Sequence, residues 1–286
     1  MTNTNPIQVK WPTPGGKITT DGGLIYTIGN FISDVGGFGI LYEGYDTFGN
    51  TVAIKILRPA KRKFEDVRMQ WEKEVSILDK VRHPHVIFIH DAFICDNLFY
   101  IVFERAWGNL FDLIKQVGPM QEATVREIAR QLLFALYYVH RDGIGHRDLT
   151  VYNILFFKNG ESGQGLYKIS DFGISEEFTN SWNSTNPIAH RHFKPPELLK
   201  FKYTSLQSDL YHLGIVLYYC LTGQFPYDIT LPQTEIDSAI LKGVPRQRAE
   251  QINTSFGKFI SILLRRRDEY RFKTELEAWR YLQNKT

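Results

Sequence analysis

Cysteine is almost missing from this chain. Cys95 and Cys220 are the two copies, they stand far apart, and neither has a CxxC partner. That excludes a disulfide framework and a cysteine-based zinc site, and two reduced thiols in a cytosolic protein are expected. An excess of one charge is missing too. The 34 basic and 31 acidic residues leave a formal net charge of +3. The one basic run, Arg265-Arg266-Arg267, is followed at once by Asp268-Glu269. A nucleic-acid face would be larger, so the run is expected to be a solvated helix end, with no nucleic-acid partner. The longest apolar run, Leu213 to Leu221, is far too short to cross a bilayer. Met1 to Gly16 is polar, carries Pro6, Pro12 and Pro14, and lacks the apolar stretch of a secretory signal. Internal repeats and low-complexity segments are absent as well.

What is present is ordinary for a folded protein: 43% hydrophobic and 23% charged residues. A length of 286 residues sits near the size at which one core gives way to two lobes. Residues 1 to 23 are rich in Thr, Pro and Gly and are expected to form a loose leader. From Leu24 to Glu104 the pattern is mostly strand. Leu24 to Ile32, Gly39 to Gly44, Thr51 to Leu57, Val86 to Phe93 and Leu98 to Phe103 are β-rich runs, and Asp46 to Asn50 is a turn. One helix interrupts them, Phe64 to Val81, with Val67, Trp71, Val75, Leu78 and Val81 as its apolar stripe. Helical patterns then dominate: Leu110 to Val117, Glu122 to Asp142, Ser208 to Thr222, Gln233 to Leu241, Thr254 to Leu264 and Lys273 to Asn284. The expected fold is α+β and bilobal. A small antiparallel β-lobe with one helix (24 to 104) joins a larger, mainly helical lobe (109 to 286) through a hinge at 104 to 108. A cleft between two such lobes is a usual place for a ligand.

Four short segments carry chemistry. Asp34-Val35-Gly36-Gly37-Phe38-Gly39 joins two strands, and its glycines allow backbone N–H groups to approach phosphate oxygens. Taken alone it is equally a Gly-rich hairpin turn. Val52-Ala53-Ile54-Lys55 ends an apolar strand in an ammonium that needs an anion: an incoming phosphate, or a carboxylate of the next helix. Of Glu72 and Glu74, Glu74 is the better partner, because it flanks the apolar stripe. His146-Arg147-Asp148-Leu149-Thr150-Val151-Tyr152-Asn153 follows a long helix. Its carboxylate can orient a hydroxyl and take its proton, and its amide oxygen can bind a hard cation such as Mg²⁺. Asp171-Phe172-Gly173 supplies a second hard oxygen ligand at a turn.

In this order and spacing the four segments resemble the eukaryotic-type protein kinase family over about Leu24 to Leu282. Pro195-Pro196-Glu197, Asp209 to Gly214 and Arg271 are similar to further family motifs, with Arg271 pairing Glu197. The resemblance implies ATP and Mg²⁺ as cofactors and a protein as substrate. It also implies a role for each matching residue. Gly36, Gly37 and Gly39 would cover the phosphates, and Lys55, paired with Glu74, would hold the α- and β-phosphates. Leu41, Ala53 and Leu155 would sandwich adenine, the backbone of Glu104 and Ala106 would bind its edge, and Phe103 would stand behind it. Asp148 would be the base, and Asn153 and Asp171 the metal ligands. Leu78, Ile89, His146 and Phe172 would form an apolar column, with His146 packed rather than catalytic.

The chain departs from the family at three places. Asp34 replaces the first loop glycine and brings a carboxylate near phosphate unless it points away. Thr150 stands where Ser/Thr kinases carry a lysine, and Tyr152 is no substitute for the arginine of tyrosine kinases. His190 replaces the threonine that normally touches both groups, so His190, Arg191 or Lys194 is expected to supply the cation. Serine or threonine is the expected acceptor. Arg147 before the base suggests autophosphorylation at Ser184 or Thr185. The alternatives are a pseudokinase acting as a nucleotide-binding or scaffolding module, and a small-molecule kinase. The intact Lys55, Glu74, Asp148, Asn153 and Asp171 oppose the first, and Arg147 with the Asp171-Phe172-Gly173 segment opposes the second.

Overall fold

The structure, a computed structural model, describes residues 11–35, 39–57, 63–158, 165–173, 175–177, 183–184 and 193–284. The chain divides into two compact units. One holds the chain up to Arg82 together with Ile87–Ala106, and the other holds His83–Val86 and everything from Trp107 onward.

The first unit is a six-stranded antiparallel sheet in the order β1-β2-β3-β4-β6-β5. Its strands are β1 (Lys17–Thr19), β2 (Ile25–Val35), β3 (Gly39–Tyr45), β4 (Thr51–Leu57), β5 (Ile89–Cys95) and β6 (Leu98–Glu104), with helix α1 (Phe64–Lys80) between β4 and β5. Alternation splits β4 between two faces. Val52, Ile54 and Ile56 join Ile18, Tyr26, Ile28 and the β6 residues Tyr100 and Val102 in one apolar cluster. The opposite face meets α1, where the Phe64 and Trp71 rings lie 4.8 and 5.7 Å from Phe99. Residues 17 to 19 are therefore not loose. Ile18 is buried and Trp11 packs on the same cluster, so the end of the expected leader adds a strand against β2.

The second unit begins with β7 (Gly108–Asn109), α2 (Leu110–Val117) and α3 (Glu122–Arg141). Short strands follow: β8 (Ile144–Gly145), β9 (Ile154–Lys158), β10 (Gly165–Ile169), β11 (Glu176–Glu177) and β12 (Asn183–Ser184). Then come α4 (Pro196–Phe201), β13 (Thr204–Ser205), α5 (Leu206–Thr222), α6 (Gln233–Lys242), α7 (Val244–Glu250), α8 (Ser255–Leu263), a 3-10 turn (Asp268–Tyr270) and α9 (Glu275–Gln283). Helix α5 is buried all round from Ser208 to Cys220 and opens on a capping box between Ser205 and Ser208. It packs on α3 and α8, and α3 also packs on α9. Helix α7 has no counterpart among the expected helices; Pro245 opens it after Gly243, whose φ of 81° ends α6. No helix among the described residues is long and apolar enough to cross a membrane. Cys95 and Cys220 are both free thiols.

Candidate active site

In an antiparallel sheet, directly opposed residues share a face. Leu41 opposes Lys55 across β3 and β4, and Ala53 opposes Phe103 across β4 and β6. Leu41, Ala53, Lys55 and Phe103 thus share the face that meets α1. Asp34 opposes Ile40, which opposes Ile56, so the replaced loop glycine lies on the other face from Lys55. On α1 the buried positions are Val67, Glu74, Ile77 and Leu78: Glu74 takes a place in the apolar stripe itself. It needs a cation there, and Lys55 Nζ donates to both its oxygens, at 2.7 and 3.0 Å. Lys55 and Glu74 are 5% and 1% exposed, so the pair offsets the cost of burying each charge. Gly39 is required sterically, because a Cβ there would meet the Ile56 carbonyl at 2.7 Å. The Glu104 N–H donates to the Phe88 carbonyl.

In the second unit a hairpin brings distant residues together. β9 and β10 pair with Ile154 opposite Ile169. That register sets Asn153 beside Ser170, whose N–H and Oγ both donate to the Asn153 carbonyl, at 2.8 and 3.0 Å. Asp171 is the next residue, with φ of 63°, a left-handed conformation that costs a non-glycine residue about 1–3 kcal/mol. Asn153 Nδ2 donates to the Asp148 carbonyl at 2.9 Å and to its carboxylate at 3.0 Å. Both amide protons are thereby directed at Asp148, and among the described residues no donor is bonded to Asn153 Oδ1. An amide oxygen and a carboxylate are both hard donors of the kind that could hold Mg²⁺, which takes few protein ligands and completes its shell with phosphate and water. Among the described residues no three His, Cys, Asp or Glu side chains gather as a metal cluster.

The loop that carries Asp148 hangs from a buried carboxylate. Asp209, at the start of α5, accepts from the His146 and Arg147 backbone N–H groups, both at 2.7 Å. Arg147 has φ of 70°, and these bonds hold that strained turn. His140, on the buried face of α3, stands between Asp209 Oδ2 at 2.9 Å and Glu275 Oε1 at 2.7 Å. Two carboxylates require two N–H donors, so His140 is an imidazolium. Burial alone would lower its pKa, but Glu275 and Asp209 outweigh burial and push it up to about 9. His146 is the opposite case. Burial lowers its pKa, its Nε2–H donates to the Ser170 carbonyl at 3.0 Å, and its Nδ1 accepts from the Asp148 N–H at 3.3 Å. The neutral ring packs edge-on to Phe172 at 4.8 Å.

A pH dependence follows from His140. Its folded pKa lies above the unfolded value of 6.5, so folding takes up a proton between the two. The stabilisation is complete below about pH 6.5 and is lost as pH rises through about 9. Urea denaturation across that window is expected to give a falling unfolding free energy. A curve that rises there contradicts the assignment.

The protein kinase domain family matches residues 29–279. The chain belongs to that family. Sucrose non-fermenting protein kinase 1 of Fusarium virguliforme is 35% identical over 181 residues, 63% of this chain and 25% of that protein. Human NUAK family SNF1-like kinase 2 is 33% identical over 193 residues, 67% of this chain and 30% of that protein. A probable serine/threonine-protein kinase of Clostridium acetobutylicum is 28% identical over 256 residues, 87% of this chain and 38% of that protein. In each case this chain spans well under half of the relative's length.

Within this kinase domain the structure pairs Lys55 with Glu74, and it sets Asp148, Asn153 and Asp171 around the end of one hairpin. Gly36, Gly37, His190, Arg191 and Thr185 lie outside the described residues, as does the side chain of Ser184. Thr150, in place of the lysine, is fully buried, and its hydroxyl has no partner among the described residues. Of the supports, Asp209 opens the motif-like Asp209 to Gly214 segment, whereas His140 and Glu275 have no motif to announce them. Their one signal in the sequence is a charged or ionisable residue on an otherwise apolar helix face, as His140 follows Leu132, Leu136 and Val139 on α3. In unit one the corresponding test is Glu74→Gln. The amide still accepts from Lys55 but no longer offsets its charge, so the kinase domain is expected to lose about 1–3 kcal/mol by chemical denaturation. An unchanged midpoint contradicts the ion pair.

Proposed function

We propose that this kinase domain transfers the γ-phosphoryl group of ATP to a serine or threonine hydroxyl of a protein. The observation that carries the reading is the clamp of Asn153 on Asp148, set by hairpin register beside Asp171. Asp148 orients the acceptor hydroxyl and takes its proton as the oxygen bonds to the γ-phosphorus. The bond to the β,γ-bridging oxygen breaks and ADP leaves. Lys55, held by Glu74, positions the α- and β-phosphates, while Gly36, Gly37 and Gly39 cover them. Leu41, Ala53 and Leu155 enclose adenine, and the backbone of Glu104 and Ala106 binds its edge. Asn153 and Asp171 would hold Mg²⁺, which neutralises charge on the triphosphate when bound. Catalysis of this kind rests on positioning and electrostatics more than on covalent chemistry.

The serine/threonine assignment draws on the names of the relatives, since Thr150 and Tyr152 leave the acceptor class unmarked. Phosphoamino-acid analysis of a generic protein incubated with the chain and Mg-ATP tests it. Phosphoserine or phosphothreonine is expected, and phosphotyrosine alone overturns it. Autophosphorylation at Ser184 or Thr185, read by Arg147, belongs to the same proposal, as does action in the cytoplasm, which suits two free thiols. The pseudokinase reading is disfavoured because a chain without turnover has no need of the base and both metal ligands.

A further inference from the structure

Arg265-Arg266-Arg267 plays no part in the phosphoryl-transfer site. On sequence it reads as a solvated helix end, yet in the structure it borders two adjoining cavities beside α7 and α8. The larger, about 620 Å³, is lined by the cations Arg246, Lys258 and Arg265 and by the hydroxyl-bearing Thr254, Ser255, Ser261 and Tyr281. The smaller, about 410 Å³, is lined by Arg246, Arg265, Arg266, Arg267 and Tyr270. Arg246 and Arg265 border both cavities. Against five lining cations stands one lining carboxylate, Glu250.

Two of these five cations are held by carboxylates, and three are left outside ion pairs among the described residues. Arg265 donates to the Tyr270 carbonyl, and Arg266 donates to the Leu241 carbonyl at 3.1 Å. Those acceptors are neutral, so they set the direction of each guanidinium and leave its charge. Arg246 pairs with Glu250 at 2.8 Å and Arg267 with Glu269 at 3.4 Å. Lys258, Arg265 and Arg266 form no ion pair among the described residues. Guanidinium forks match phosphate oxygens two at a time, and ammonium adds a compact point charge. Several cations around two adjoining concavities call for several anionic groups on one compact body, which a single phosphate does not offer. An extended strand of nucleic acid calls instead for a longer basic stripe.

We propose that these joined cavities bind a polyphosphorylated small molecule, either free in solution or as the headgroup of a phosphoinositide lipid. The site has a path to the kinase machinery. The Arg265 carbonyl accepts from Arg271 Nε at 2.8 Å, and Arg271 holds Glu197. Bound ligand therefore stiffens the turn that carries Arg271, and it raises the melting temperature by mass action.

The test is calorimetric titration of the full chain with inositol hexakisphosphate, with ADP present in excess to fill the nucleotide site. Binding is expected, weakening as salt is added. Lys258→Gln with Arg265→Gln is expected to weaken it about tenfold or more, whereas Lys55→Met leaves it unchanged. If the double variant melts early, Arg246→Gln, at an exposed position, serves in its place. Vesicles carrying phosphatidylinositol bisphosphate separate the sources: co-sedimentation assigns a lipid headgroup, and soluble binding without it assigns a free ligand. No binding at low salt, equal binding by the variants, loss of binding in Lys55→Met, or preference for a phosphopeptide over the hexakisphosphate overturns the proposal.

Discussion

Asp148→Asn is expected to lower the rate of phosphoryl transfer by about 10²–10⁴-fold, the range associated with removing a general base. The substitution is nearly isosteric. Asn153 Nδ2 meets a carboxylate oxygen of Asp148 at 3.0 Å, and an amide oxygen accepts the same bond. The Asp148 carbonyl keeps its own bond to Asn153 at 2.9 Å, and the loop stays hung from Asp209. What disappears, on the proposed mechanism, is the basic oxygen that would take the acceptor proton. Steady-state kinetics should therefore show the loss in kcat, with the melting temperature and the KM for ATP nearly unchanged. A large loss of stability alongside the rate would mean that Asp148 serves the fold. A wild-type rate would mean that the proton leaves by another route.

Arg271→Ala is expected to cost about 3–5 kcal/mol of stability, as when one partner of a buried pair is removed. Arg271 donates to both Glu197 oxygens, at 2.8 and 2.7 Å, and to the Gln207 and Arg265 carbonyls. Neither partner's side chain exceeds 2% exposure. Burial pushes the Glu197 pKa up, but the Arg271 charge, with hydrogen bonds from Arg271 and Ser208, holds it below the ordinary glutamate value of 4.5. A depressed carboxylate stabilises above its unfolded pKa, so this contribution is complete above about pH 4.5 and fades as pH falls further. Truncation leaves Glu197 buried and charged, with its cation gone and the Ser208 hydroxyl still donating at 2.6 Å. Denaturant titration should show the loss at neutral pH, and Glu197→Gln in the Arg271→Ala background should recover part of it. A loss no larger than that of an exposed pair contradicts the buried bridge.

How much of this is legible in the sequence depends on distance along the chain. Asp148 and Asn153 are five residues apart, so one short segment displays both. Lys55 and Glu74 are readable because a strand and the next helix each carry a charge on an apolar face. The fold class follows from the switch of hydrophobic period near Glu104. The contacts of the anchors are hidden. Asp209 meets the loop from 63 residues away, and Glu275 meets His140 from 135 away, so no local pattern joins them. Asp34 looks unfavourable on sequence because a glycine-rich turn hides its register, and the pairing with Ile40 puts it on the opposite face from Lys55. The strand at Lys17–Thr19 is invisible because three residues are too few for a period, and its one buried side chain is Ile18. The basic run is a solvated helix end in the structure too, just past α8, with Arg266 and Arg267 exposed. Sequence shows that Arg265 to Arg267 are adjacent, but not that Arg246 borders the same two cavities and Lys258 the larger one.

The proposed turnover rests on Asp148 beside Asn153 and Asp171. Its most direct test is transfer of label from radiolabelled Mg-ATP to a generic protein substrate, with the wild-type chain beside Asp148→Asn and Asn153→Ala. Label on serine or threonine with the wild type, and almost none with either variant, is the predicted result. Nucleotide binding without any transfer by the wild type, at every Mg²⁺ concentration tried, would contradict it.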